Sequence, residues 1–244
     1  GLNWYDYGAR HYDAAIGRFA TVDRFAEKYS SVGVYTYCIN NPIKYLDIAG
    51  DSISLSALQM LDNTSKTNYT QQTINDLQIQ TGLTITIDNR GVISYAKDAS
   101  GKPLISTTKD AKGNEVEMGS KSARVFLIAA IDHPDMITTN FGNRTGVIPG
   151  TNNIAFNVRQ MNEFTSGAVG VDNRTLGWGM TLMHEIHHTQ VGGGLQDGTI
   201  NPGPVVEHMN VIRSELNILG GNYGQRISYR AIHIRGYDYI PFDK

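Results

Sequence analysis

Hydrophobic positions along this chain fall into short, well-separated blocks. In the largely polar stretch 51–82, Leu58, Leu61, Ile74 and Leu77 sit at helical spacing and predict one or two short helices. "LTITID" (83–88) alternates with period two, "NRG" follows, and "VISYA" (92–96) resumes the apolar pattern, which predicts a β-hairpin. "SGKP" and "KGNE" read as exposed turns. "SARVFLIAAI" (122–131), with Ser120 or Ser122 as its cap, predicts a helix that ends before Pro134. "MITTNF" (136–141) and "NIAFNV" (153–158) read as strands, and the glycine-rich loop between them, "GNRTGVIPGTN", is expected near a cleft. A helix is expected over 176–190, started by Asn173 or Thr175 and stopped by Gly192–Gly194. Another runs over 204–218, with Pro204 in its first turn, and "RISYRAIHI" (226–234) closes the pattern as a strand or extended tail. No internal repeat is read after residue 51.

The first fifty residues have a different texture. Tyr, Asp, Gly and Asn dominate them, "YDYGARHY" and "VGVYTYCI" read as short strands, and "NNP" reads as a turn. That strip is too short to build its own core. The whole chain has 244 residues, 40% of them hydrophobic, enough for one good core with a small appendage. The expected class is α+β, with residues 1–50 and 51–244 as separate parts. A net charge of -2 gives no basic field for nucleic acid. No run of about 18 apolar residues exists to span a membrane. The single cysteine, Cys38, excludes an internal disulfide framework and a cysteine-based zinc site. Opening at Gly1 in mid-motif, the sequence reads as the C-terminal piece of a longer protein.

The candidate chemistry lies in "MTLMHEIHHTQVGGG" (180–194), where His184, Glu185 and His188 match HExxH. Residues four apart on a helix lie one above the other, so His184 and His188 can aim two imidazoles at one cation. Glu185, next to the first ligand, can reach a water on the metal and act as base, then as acid toward the leaving amine. Leu176, Met180, Met183 and His187, widened by Leu182 and Ile186, form the core-facing stripe, which makes His187 a core or supporting residue. A catalytic zinc takes a third protein ligand. A histidine six residues after the second is ruled out, because Gly194 stands there. The expected third ligand is Glu207, nineteen residues past His188, with His208 and Glu215 on the same helix as alternatives. Glu207, Asn210, Val211 and Ser214 share a face, so Asn210 is a candidate for orienting Glu207 or a substrate.

Two resemblances extend this reading. "YDYGARHYDAAIGRF", "VDRFAEKY" and "YTYCINNPIKYLDIAG", in that order over residues 4–50, resemble the C-terminal end of the bacterial RHS repeat-associated core. That resemblance implies the closing part of a large tyrosine-rich β-shell, followed after about residue 51 by a variable toxin domain. The chain departs from it at Asp23-Arg24 and Asp47-Ile48, where the family has Asp-Pro, although Gly50 is kept. The departure argues against self-cleavage at this boundary. "MHEIHHTQ", "GPVVEHMNVIRSEL" and "YGQRISY" resemble the zincin-type metallopeptidase toxin domains found after such cores. The positions that match are Glu207, Asn210, Arg213, Leu216, Arg226 and Tyr229, across a longer connection, "ELNILGGNYGQR". The fold implied is an active-site helix and a following helix packed on a small mixed sheet.

An oxyanion needs a donor besides the metal, and Tyr229, Arg226 and Arg213 are the candidates. The expected function is a zinc-dependent endopeptidase, the effector tip of an RHS protein, secreted or delivered into a target cell. Its expected partners are a protein or peptide substrate, an immunity protein and the remainder of the RHS shell. The alternatives are a zinc amidase acting on cell-wall peptides and an inactive zincin-fold interaction module. The intact Glu185 argues against the second.

Overall fold

The computed structural model describes residues 4–6, 11–13, 15–16, 18–21, 53–110, 112–198, 202–227, 232–234, 237–239 and 242–243. The chain divides into two compact units, Gly1–Ser52 with Asp132–Met136, and Ile53–Ile131 with Ile137–Lys244. In the first, β1 (Trp4–Asp6), β2 (His11–Asp13) and β3 (Arg18–Phe19) form an antiparallel sheet, so "YDYGARHY" spans two strands. The expected strand in "VGVYTYCI", the "NNP" turn and Cys38 lie outside the described residues.

The second unit opens with β4 (Ile53–Ser54), α1 (Ser56–Ser65), α2 (Tyr69–Thr81), β5 (Ile85–Ile87), β6 (Val92–Tyr95), β7 (Thr107–Lys109) and β8 (Glu115–Glu117). It continues through α3 (Lys121–Ile131), β9 (Ile137–Phe141), β10 (Gly146–Val147), β11 (Asn153–Phe156) and α4 (Val158–Gly167). A 3-10 turn (Asn173–Leu176), α5 (Trp178–His188) and α6 (Pro204–Ile218) follow. The short strands β12 (Gln225–Arg226), β13 (Ile232–Ile234), β14 (Tyr237–Tyr239) and β15 (Phe242–Asp243) close it. Six strands make one mixed sheet in the order β10-β11-β9-β4-β6-β5, parallel across β11, β9 and β4 and antiparallel elsewhere. The unit is therefore α+β.

The core is filled from the sheet by Ile53, Ile93, Ile137 and Ile154, and from the helices by Leu77, Leu127, Met183, Ile186 and Met209. Although β4 is only two residues long, it is an inner strand. Ile53 pairs with Ile137 on one side and Ile93 on the other, and all three are fully buried. Ile53→Ala removes packing at the centre of the sheet and is expected to cost about 2–5 kcal/mol, read as a lower urea midpoint. A loss below about 1 kcal/mol would show that the sheet closes without this strand.

Local chemistry explains the helix starts. The Asp62 carboxylate of α1 accepts the N–H groups of Tyr69 and Thr70, which begin α2. Ser120 Oγ accepts the Ala123 N–H, so Ser120, not Ser122, caps α3. The helix α4 was not expected. Asn157 ends the apolar alternation of β11 and its side chain takes the Gln160 N–H at 2.9 Å, turning the chain into a helix that buries Met161.

One turn geometry recurs in this unit. Three hairpin turns start at Asp88, Asp98 and Asp110. In each, the aspartate Oδ1 accepts the N–H groups two and four residues on. The glycine three residues on (Gly91, Gly101, Gly113) has φ of 84°, 82° and 83°, which only glycine adopts freely. "NRG", "SGKP" and "KGNE" are thus the same device used three times.

Candidate metal centre

The helix α5 carries the HExxH residues. Its other sides are fixed in the core by Trp178, Met180, Leu182, Met183 and Ile186, all buried. That packing leaves His184 and His188 one above the other, each side chain retaining 12% of its exposure. Their Nε2 atoms are 3.3 Å apart. Two donors on a tetrahedral ion with bonds of about 2.0–2.1 Å stand about 3.3–3.4 Å apart. His188 Nδ1 lies 2.6 Å from the Leu195 carbonyl oxygen, which can only accept, so Nδ1 carries the hydrogen and Nε2 keeps its lone pair for a cation. Burial, reinforced by the charge of Arg226, holds His184 well below the usual imidazole range.

The third member of the group is Asp197. Its Oδ2 lies 3.7 Å from His184 Nε2 and 3.9 Å from His188 Nε2, and its side chain is 1% exposed. Among the described residues, His184, His188 and Asp197 are the set of ligand-type side chains close enough to hold one metal ion, all within 4.8 Å. Asp197 is seated by the start of α6. Its Oδ1 accepts the Val206 N–H at 3.2 Å, while Oδ2 is buried with no hydrogen-bond partner. A Cβ on Gly203 would come within 2.6 Å of Asp197 Cα and 2.7 Å of Asp197 Oδ1, so only glycine lets α6 begin this close. A buried carboxylate oxygen without a donor, close to two imidazole nitrogens, makes a donor set that could hold a divalent cation. Zinc fits these residues.

The expected third ligands are placed elsewhere. Glu207 is exposed on the first turn of α6 and is not in the group. His208 Nδ1 is 2.7 Å from His187 Nε2. Because His187 Nδ1 must donate to the Met183 carbonyl, His187 Nε2 accepts from His208. His187 also stacks on Phe126 with ring centroids 3.8 Å apart, which makes it the supporting residue that its stripe position implies. Glu215 accepts from Ser120 Oγ, Ser122 N and Ser122 Oγ at the start of α3, which occupies both its oxygens. The sequence signal for Asp197 was available but not periodic. It is the one carboxylate between His188 and Pro204.

Glu185, next to His184 in the chain, is buried. Burial pushes its carboxyl up to about 7, with Arg226 pulling it down and Asp197 adding to the rise. Arg213 is 2% exposed, and burial together with the charge of Arg226 lowers it to about 9. Its guanidinium donates to Asn210 Oδ1 at 2.9 Å and to the Thr175 carbonyl at 3.2 Å. It therefore ties α6 to the turn before α5 and does not reach toward a substrate. Arg226, on β12, is also buried and acts electrostatically on both His184 and Glu185. Tyr229 lies outside the described residues. No protein-family profile, no curated protein and no solved structure matches this chain. No helix among the described residues is long and apolar enough to cross a membrane.

Proposed function

We propose that the protein is a zinc-dependent endopeptidase and the C-terminal effector of an RHS-type protein, with a zincin-like catalytic domain. The observation that carries the catalytic part is the convergence of His184 Nε2, His188 Nε2 and the unpartnered Asp197 Oδ2 beside the buried Glu185. The effector part rests on the RHS-like sequence of residues 4–50. His184, His188 and Asp197 would hold the zinc, which would supply a Lewis acid able to activate a water near neutral pH. Glu185 takes the proton of the attacking water and passes it to the leaving amine nitrogen. Arg226 offers positive charge where negative charge develops on the carbonyl oxygen. Arg213 acts behind it as part of the frame. The substrate is a protein or peptide in a target cell, and an immunity protein would protect the producer.

The test is metal analysis of the purified protein together with hydrolysis assays. One zinc per chain and zinc-dependent cleavage of denatured casein are expected. A protein that carries no zinc and binds none on titration near pH 7 would overturn the metal centre. Zinc binding with release of peptides from sacculi only would move the substrate to the cell wall. Zinc binding without any hydrolysis would make the domain an interaction module.

A further inference from the structure

Arg226 stands on a strand of two residues that pairs with β15, opposite Phe242, and both the N–H and the carbonyl of its main chain are bonded to one side chain. Asn210 Nδ2 donates to the Arg226 carbonyl at 2.8 Å, and Asn210 Oδ1 accepts the Arg226 N–H at 2.9 Å. A side-chain amide can serve a main-chain donor and acceptor together, as a neighbouring strand would. The amide has one orientation, because the Arg213 guanidinium donates to the same Oδ1 at 2.9 Å. Arg213 is anchored in turn on the Thr175 carbonyl at 3.2 Å, and Thr175 Oγ1 accepts the Gly224 N–H at 3.2 Å. The base of α5, the middle of α6 and the approach to β12 are thus joined through Asn210.

We infer that Asn210 is a positioning residue, which fixes the main chain of Arg226 and so the point from which its charge acts on the metal centre. The inference rests on the metal centre proposed above. It assigns Asn210 a purpose that helical spacing on α6 does not, since Asn210 orients neither Glu207 nor a substrate. It also gives Arg213 an indirect part, locking the amide that locks Arg226. The charge of Arg226 reaches both His184 and Glu185, so its placement affects how well the histidines hold a cation as well as any reaction.

That effect gives a readout independent of activity. The probe is Zn2+ alone, titrated against a competing chelator at fixed pH and salt. Removing a positive charge beside the ligands strengthens zinc binding, so Arg226→Met is expected to tighten it roughly three- to tenfold. Asn210→Ala, by removing the clamp on the Arg226 main chain, is expected to tighten it by up to a comparable factor. The double variant is expected to gain no more than the larger single effect, because both act through one guanidinium. Additive effects of the two changes, or no effect of Asn210→Ala, would overturn the inference. If Asn210→Ala does not fold, Asn210→Ser keeps an oxygen for Arg213 and carries the same comparison. Failure of the wild-type protein to bind Zn2+ would instead count against the metal centre itself, and the inference would fall with it.

Discussion

Asp197→Asn is expected to lower zinc affinity by more than about 100-fold, whereas Glu207→Gln leaves it at the wild-type value. Loss of an outer partner of a metal ligand already costs about 10–100-fold, and a direct ligand is worth more. Asp197 Oδ2 is the buried oxygen facing both imidazoles, while Glu207 is exposed at the start of α6. Asparagine retains an oxygen for the Val206 N–H, so the seat at the start of α6 survives the change. The two forms of the protein should respond in opposite directions. Without metal, Asp197 holds an unpartnered carboxylate oxygen in the interior, and replacing it with a neutral amide should keep or raise the melting temperature. With zinc in excess, the wild type should gain about 4 kcal/mol when free zinc is a thousandfold above its Kd, against about 1.4 kcal/mol or less for the variant. Equal zinc binding by Asp197→Asn, or loss of binding in Glu207→Gln, would return the third ligand to Glu207.

What the sequence revealed follows from which residues have a periodic neighbourhood. The helices α3, α5 and α6 were legible because each buries one stripe over three or more turns, as Val205, Met209, Ile212 and Leu216 do on α6. The hairpin of β5 and β6 was legible from its alternation. The helix α4 was not, because its polar surface hides a single buried residue, Met161, and its start depends on one bond from Asn157. Two of the proposed zinc ligands, His184 and His188, were legible for the same reason as the helices, since the four-residue spacing is itself the geometry. The third proposed ligand was not. Asp197 occupies a loop, and a loop side chain points where its hydrogen bonds send it. The bond to Val206 and the close approach of Gly203 are set by where α6 begins, which the pattern of α5 does not determine. A third ligand was expected on α6 because a helix offers a face, whereas Asp197 lies in the segment leading into that helix.

Glu185→Gln is expected to retain zinc and fold while losing about 10²–10⁴-fold in kcat for casein hydrolysis. Glutamine has the same length and branching, so it fills the buried space beside His184 without a cavity. It cannot take a proton from the attacking water or return one to the leaving nitrogen. Removing its negative charge also leaves Arg226 without one of the charges it acts on, which should weaken zinc binding only slightly, because Glu185 is not among the ligating atoms. The separation between the two readouts is the substance of the prediction. An unchanged melting temperature and near-stoichiometric zinc, together with a collapsed kcat, would identify Glu185 with the proton-transfer step. A variant that cleaves casein as fast as the wild type would show that Glu185 is not the base, or that the cleavage comes from a contaminating protease. Asp197→Asn in the same preparation separates those two outcomes, since a contaminant would be untouched by it as well.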